Sequence, residues 1–295
     1  MAVKLSTKNI EANTRLRRPE WLKVKLGRNE DFAHVRRLIQ RQKLHTVCES
    51  ARCPNIGECW SRRTATFMIL GNTCTRSCRF CNIETGKPSE YDVQEPQRIA
   101  AAVKELRLRH AVITSVTRDD LSDGGAFIFA ETVRLIHEQL PDCTIEVLIP
   151  DFQGDTDDLD TVLNAHPDIL NHNLETVERL QKPLRVQATY QRSLSVLSHA
   201  RQRGFVTKSG IMVGVGETKD EIVQTLNDLR AIDCQILTIG QYLPPSKSHY
   251  PLDCFYTPQE FTELKAVALE LGFKYVESGP LVRSSYHADE QVLHR

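Results

Sequence analysis

The stretch that decides the architecture runs Thr66-Phe-Met-Ile-Leu70, then Gly-Asn-Thr, then Cys74-Thr-Arg-Ser-Cys78-Arg-Phe-Cys81. A short apolar, β-branched run closed by glycine reads as a buried strand ending in a turn. The turn delivers three cysteines, spaced C-x3-C-x2-C, onto one tight loop. Structural zinc takes four protein ligands. Cubane iron–sulfur clusters are held by thiolates, normally four. Three thiolates leave one iron of a cubane open to a small molecule. An incidental zinc knuckle is the competing reading of these residues alone.

Downstream, β-branched runs at 111–115, 144–148, 169–173, 207–213 and 236–240 alternate with amphipathic stretches at 98–108, 127–140, 193–203 and 218–231. Thr218 with Glu221 reads as a capping box, and Thr257-Pro258 with Glu260 repeats it with proline at the first helical position. Such alternation implies right-handed crossovers and a parallel sheet covered by helices. Six strand–helix units, with no dinucleotide glycine fingerprint after the first strand, favour an α/β fold of the incomplete (β/α)6 TIM-like barrel type over a Rossmann sheet. The barrel is expected over 66–273, with 1–65 and 274–295 as packed extensions. Parallel barrels carry their chemistry at the C-terminal ends of strands. Polar clusters fall there: Asn72, residues 117–125, residues 171–175 and residues 214–217.

A second triplet lies upstream: Cys48-Glu-Ser-Ala-Arg-Cys53-Pro-Asn-Ile-Gly-Glu-Cys59, or C-x4-C-x5-C. Taken alone it could hold structural zinc with a distant fourth ligand. Two three-cysteine groups in one chain make two clusters the more economical account. Cys143, Cys234 and Cys254 are isolated and read as small buried hydrophobes.

Bulk properties narrow the setting. The 295 residues hold 38 basic and 38 acidic side chains, so no global field points to nucleic acid or membrane. Residues 1–43 carry twelve Lys and Arg against four acids, read as a solvated basic arm with an acidic partner as the alternative. No apolar run approaches a membrane span, and no secretory signal is visible. The expected compartment is the reducing cytosol, where clustered cysteines suggest metal or redox chemistry rather than disulfides.

The paired motifs resemble those of the lipoyl synthase family within the radical S-adenosylmethionine (SAM) superfamily. C-x3-C-x2-C after the first barrel strand is the superfamily signature. C-x4-C-x5-C preceding it resembles lipoyl synthase specifically, and other segments agree. These include Arg18-Pro19-Glu20-Trp21-Leu22, Glu49-Ser50-Ala51-Arg52-Cys53-Pro54-Asn55, Phe67-Met68-Ile69-Leu70-Gly71 and Asp119-Asp120-Leu121. Further along come Asp123-Gly124-Gly125-Ala126, Asn171-His172-Asn173-Leu174-Glu175-Thr176, Gly214-Val215-Gly216-Glu217-Thr218, Gln241-Tyr242-Leu243 and Arg283-Ser284-Ser285-Tyr286-His287-Ala288. The similarity runs from about residue 17 to residue 288. One departure is Pro244, where the family wording has a polar residue; it touches no ligand position.

The resemblance implies two 4Fe-4S clusters and SAM. Cys74, Cys78 and Cys81 would hold the cluster whose open iron is chelated by SAM, and one-electron reduction would release a 5′-deoxyadenosyl radical. Cys48, Cys53 and Cys59 would hold an auxiliary cluster, with an Arg-Ser-Ser-Tyr serine as its fourth ligand. We assign Ser285, with Ser284 as the alternative, because neighbours on an extended segment point oppositely. An oxygen ligand is harder than thiolate and suits a cluster that must be dismantled.

For SAM itself the resemblance points to Gly124, Gly125, Asn171, Asn173, Glu175 and Arg185. The bland alternatives are an ordinary turn at the glycines, a helix cap at Asn173 and a surface ion pair at Arg185. His172 and His287 read as structural. The implied activity is sulfur insertion at C6 and C8 of an octanoyl chain on a lipoyl-domain lysine. Two SAM molecules are consumed per lipoyl group, and the sulfur comes from the auxiliary cluster.

Implied partners are octanoylated lipoyl domains of 2-oxoacid dehydrogenase complexes, the glycine cleavage H protein, an electron donor such as ferredoxin or flavodoxin, and an iron–sulfur carrier. A tRNA methylthiotransferase, a biotin synthase and a ferredoxin-like electron carrier are the rivals. The first should carry an RNA-binding module, and the last would normally have four thiolates per cluster.

Overall fold

The computed structural model describes residues 17–24, 29–88 and 91–292. Lys4, Lys8, Arg15, Lys25 and Arg28 of the basic arm lie outside the described residues. The strands are β1 (His45–Thr46), β2 (Thr66–Ile69), β3 (Thr73–Cys74), β4 (Glu84–Thr85), β5 (His110–Ser115), β6 (Thr144–Leu148), β7 (Ile169–Asn171), β8 (Val206–Val213), β9 (Ile236–Gln241) and β10 (Tyr275–Gly279). Eight of them form one sheet in the order β1-β2-β5-β6-β7-β8-β9-β10. Only β1 is antiparallel to its neighbour; the rest run parallel. This is the partial barrel expected from the alternation, and all six strands read from the sequence are present.

A seventh parallel strand was not anticipated. β10 lies within the segment expected to be a C-terminal extension, so the sheet continues past residue 273. Its sequence, Tyr-Val-Glu-Ser-Gly, has only two apolar residues, followed by polar ones and glycine, and gave no buried-strand signal. The helix Thr156–Leu163 was also missed, because its first turn is Thr-Asp-Asp and reads as loop. Asp155 caps it by accepting from Asp157 and Asp158. Both capping boxes, at Thr218 and Thr257, are formed. Among the described residues no helix is long and apolar enough to cross a membrane.

Strand register decides which side chains meet inside. Thr66, Val112, Glu146 and Ile169 are successive Cα partners, as are Asn171, Lys208 and Ile236, so they share the concave face. The alternate residues, such as Phe67, Ile113, Ile145 and Val147, face the helices outside and are fully buried. Upstream of the barrel, Glu30–Arg41 buries Phe32, Val35, Leu38 and Ile39 on one helical face. Phe32 meets Trp60 with ring centroids 5.3 Å apart, which docks this helix against Ile56–Ser61.

The concave face holds a dry ion pair. Lys208 Nζ lies 2.9 and 3.0 Å from the two Glu146 oxygens, and Asn171 Nδ2 donates to Glu146 Oε1 at 2.7 Å. Burial would raise the Glu146 carboxyl, but the Lys208 ammonium and His110 outweigh it and bring it to about 2. Removing one partner of such a pair strands a buried charge and costs about 3–5 kcal/mol. Lys208→Met is therefore expected to lower unfolding stability by about that much in denaturant titration. Pairing it with Glu146→Leu should recover most of the loss.

Candidate active site

The barrel-mouth loop begins where β2 ends. Leu70 adopts a left-handed φ of 68° and gives its N–H to the buried Glu95 carboxylate at 2.7 Å. The chain then forms β3, and Cys74 closes it. Backbone N–H groups of Thr117 and Arg76 donate to Cys74 Sγ at 3.3 and 3.4 Å. Arg76, inside the cysteine loop, is buried and makes a two-armed pair with Asp119 at 2.7 and 2.8 Å. Its Nη2 also lies 2.6 Å from Asp151 Oδ1. Burial would raise the Asp151 carboxyl, yet the Arg76 guanidinium holds it down at about 2. On the other flank, Tyr250 N donates to Arg79 O and His249 Nε2 lies 3.0 Å from Cys81 O. The loop is thus tied to β5, β6 and the segment after β9.

Glu175 and Arg185 sit beside this triad, close enough that both act electrostatically on Cys78. Burial raises the Glu175 carboxyl, opposed by Arg185 and by a hydrogen bond from Asn173. Arg185 is buried, and its Nη1 donates to Leu174 O and Ser193 Oγ rather than to a surface carboxylate. Asn173 Nδ2 donates to Glu175 Oε1 at 3.2 Å and Ser284 Oγ at 3.0 Å, while its Oδ1 is buried without a partner. It caps no helix. His172 is buried between Ile149 O and Ser193 Oγ, a structural residue.

Three of the residues expected at SAM have partners within the chain. Asn171 belongs to the Glu146–Lys208 network inside the barrel, because β7 register points it there. Gly124 and Gly125 have their N–H groups engaged by Leu121 O and Asp123 Oδ1. Both have positive φ, and an added Cβ would lie 2.8 Å from Phe152 at Gly124 and 2.2 Å from Leu70 at Gly125. Packing against these side chains, in a turn that starts the helix Ala126–Gln139, accounts for the glycines.

The second triad lines one pocket. Cys48 comes from the helix Val47–Ser50, Cys59 from Ile56–Ser61 and Cys53 from the turn between them. Ser285 lines the same pocket, as do Thr66, His110 and Val112 from the lower half of the barrel interior. Ser284 instead meets Asn173, so the two serines point apart. Arg283 lies beside Cys53 and donates to Val282 O, not to an acid. The two loops touch where Asn82, next to Cys81, donates to Ser50 O at 2.8 Å.

The donor chemistry fits clusters. Burial raises Cys48 to about 11 and Cys59 to about 12, the latter pushed further by Cys48 and Cys53. Burial likewise raises Cys81 to about 12, with Cys78 and Cys74 adding to it. Thiolates would repel one another within each triad, so a cationic core would let each set ionise together. Among the described residues no three His, Cys, Asp or Glu groups converge on a single ion.

Comparison with known proteins agrees. Residues 68–229 match the radical SAM superfamily, and residues 3–53 match the N-terminal domain of lipoyl synthase. The chain is 56% identical over 280 residues to the lipoyl synthase of Halalkalibacterium halodurans, covering 94% of this chain and 92% of that one. It is 58% identical over 277 residues to that of Rubrobacter xylanophilus, covering 93% and 86%. The chain belongs to the lipoyl synthase family. Solved structures share the fold at low identity. Methylornithine synthase superimposes with a TM-score of 0.54 at 16% identity, covering 71% of this chain and 70% of that one. Streptococcus suis SuiB bound to S-adenosylmethionine gives 0.56 at 10% identity, covering 77% and 55%.

Sequence reading missed the Arg76–Asp119–Asp151 anchor. Arg76 was visible within the cysteine motif, but Asp151 reaches it only through the barrel. Asp151→Asn should loosen the loop, lowering SAM cleavage roughly 10–100-fold. The iron bound by the other triad should be unchanged when iron is counted per chain.

Proposed function

We infer that the chain inserts two sulfur atoms, at C6 and C8 of an octanoyl chain on a lipoyl-domain lysine, in a SAM-dependent radical reaction. The observation that carries this reading is two separate cysteine triads on one barrel, in a chain of the lipoyl synthase family. The chemistry bound groups would supply is one-electron cleavage of SAM at one 4Fe-4S cluster and sulfur donation from the other. Cys74, Cys78 and Cys81 hold the first cluster; Cys48, Cys53, Cys59 and Ser285 hold the second. Ser285 is favoured over Ser284 because it lines the auxiliary pocket while Ser284 is engaged by Asn173.

Glu175 and Arg185 suit the amino and carboxylate groups of SAM, and the unpartnered Asn173 Oδ1 supplies a further acceptor. Inward-facing Met68, Val112, Leu148 and Ile169 give an apolar wall for an octanoyl chain. Such a wall excludes water, which protects a reactive radical. In this division of labour, the segment before residue 66 brings the auxiliary cysteines, the barrel runs on through β10, and the segment after β10 brings the serine. The acceptors extend to lipoyl domains of 2-oxoacid dehydrogenase complexes and to the glycine cleavage H protein. Ferredoxin or flavodoxin supplies electrons, and an iron–sulfur carrier restores the auxiliary cluster in the cytosol.

Reconstituted protein should hold roughly eight irons, two cubanes' worth. Cys74→Ala, Cys78→Ala and Cys81→Ala together should leave about half of the iron and abolish SAM cleavage. Ser285→Ala should keep SAM cleavage while lipoyl formation falls steeply, and Ser284→Ala should do much less. Normal lipoyl formation by Ser285→Ala alongside an inactive Ser284→Ala would reverse the serine assignment. Full activity in both would refute an oxygen ligand.

A further inference from the structure

Ser285 sits on a strap that is pinned on both sides. Before it, Ser284 Oγ accepts from Asn173 Nδ2 at 3.0 Å. After it, Tyr286 Oη lies 3.1 Å from both carboxylate oxygens of Glu58, and His287 Nε2 lies 3.1 Å from Glu58 Oε1. Glu58 directly precedes Cys59, so one carboxylate grips the residues following the serine from a position next to a cysteine of the same pocket.

The grip has support on either side. Asn55 Nδ2 donates to Leu281 O at 2.7 Å, and Arg62 pairs with Asp289 and Glu290 at 3.2 and 3.0 Å. Asn55 and Arg62 cap the helix Ile56–Ser61 and Glu58 lies within it, so one short helix supplies all three contacts to the strap. His287 adopts a left-handed φ of 52°, a conformation an ordinary residue keeps only when its surroundings determine it. The Tyr286 and His287 rings stack at 3.9 Å, which makes the two groups facing Glu58 one unit.

We propose that Glu58 is a positioning residue for the auxiliary site, holding Tyr286 and His287 so that Ser285 faces Cys48, Cys53 and Cys59. This rests on the reading of Ser285 as the oxygen ligand. Cys59 and Ser285 come from opposite ends of the chain, and no covalent link sets their separation. A carboxylate shared between their immediate neighbours sets it instead, as partners behind a ligand commonly orient it. The side-chain contacts of Glu58 run to Tyr286 and His287, so its effect would pass through Ser285. A long acidic side chain is required, since the contact spans from a helix to the strap.

The test uses the reconstituted holoenzyme, with Glu58→Ala, Tyr286→Phe and Ser285→Ala compared singly and Glu58→Ala combined with Ser285→Ala. Tyr286→Phe deletes one hydroxyl and keeps the ring, so it guards against a general folding defect. The readouts are the Mössbauer signature of the oxygen-ligated iron, SAM cleaved, and lipoyl product formed. Glu58→Ala should lose the oxygen-ligated signature and form product roughly 10–100-fold more slowly. SAM cleavage should stay near the parent level, and Tyr286→Phe should fall between the two. The double variant should be no worse than Ser285→Ala alone, the non-additivity expected when one residue acts through another. A parental iron signature and product yield in Glu58→Ala, with Ser285→Ala defective, would overturn the positioning role and spare the ligand assignment. A parental Ser285→Ala would overturn both.

Discussion

A cubane has four corners, and each cysteine triad here supplies three thiolates. That shortfall shapes the rest of the structure. Thiols set close together resist ionising as a group, because each new charge repels the others; burial pushes Cys59 and Cys81 up to about 12. A cationic core relieves the repulsion, and the remaining corner decides what each site does. At the barrel mouth Glu175 and Arg185 lie near Cys78, a carboxylate and a cation that would suit a zwitterionic ligand. In the second pocket Ser285, from the far end of the chain, lines the same cavity and is the proposed fourth ligand.

The two sites differ in how they are held, and the difference suits the roles assigned to them. The barrel-mouth loop is pinned by buried charge: Arg76 against Asp119 and Asp151, with Asp151 fully buried. Buried charge pairs are costly to open once one partner would be left alone. The auxiliary pocket is closed by exposed contacts, Glu58 with Tyr286 and His287 and Arg62 with Asp289 and Glu290. Exposed pairs of this kind are worth about 0–1 kcal/mol each. In the proposed reaction the first site would stay assembled through turnover, and the second would be opened and rebuilt.

Much of the fold was legible because the parallel strands are buried on both faces and so read as apolar runs. β6 fell where expected to the residue, and both capping boxes formed. What failed were segments where that contrast is weak: β10, with Glu277 and Ser278, and the Asp-rich start of Thr156–Leu163. In the site, the cysteines were plain from spacing, because adjacent ligands come from one loop. The structural partners of Asn171, Gly124 and Gly125 could not be read from the sequence, because a motif does not say which way its side chains face; register and packing do. Arg76 with Asp151, and Glu58 with Tyr286, were invisible for a related reason: each joins segments that meet only after folding.

The central claim is that sulfur leaves the chain's own auxiliary pocket. The most direct measurement loads the protein with heavy-isotope sulfide, removes the excess, and supplies an octanoylated lipoyl domain, SAM and reductant in a buffer holding natural-abundance sulfide. Mass spectrometry of the first-turnover product should find both sulfur atoms heavy, and loading a Ser285→Cys protein the same way should give less product. A first-turnover product carrying natural-abundance sulfur would contradict the account.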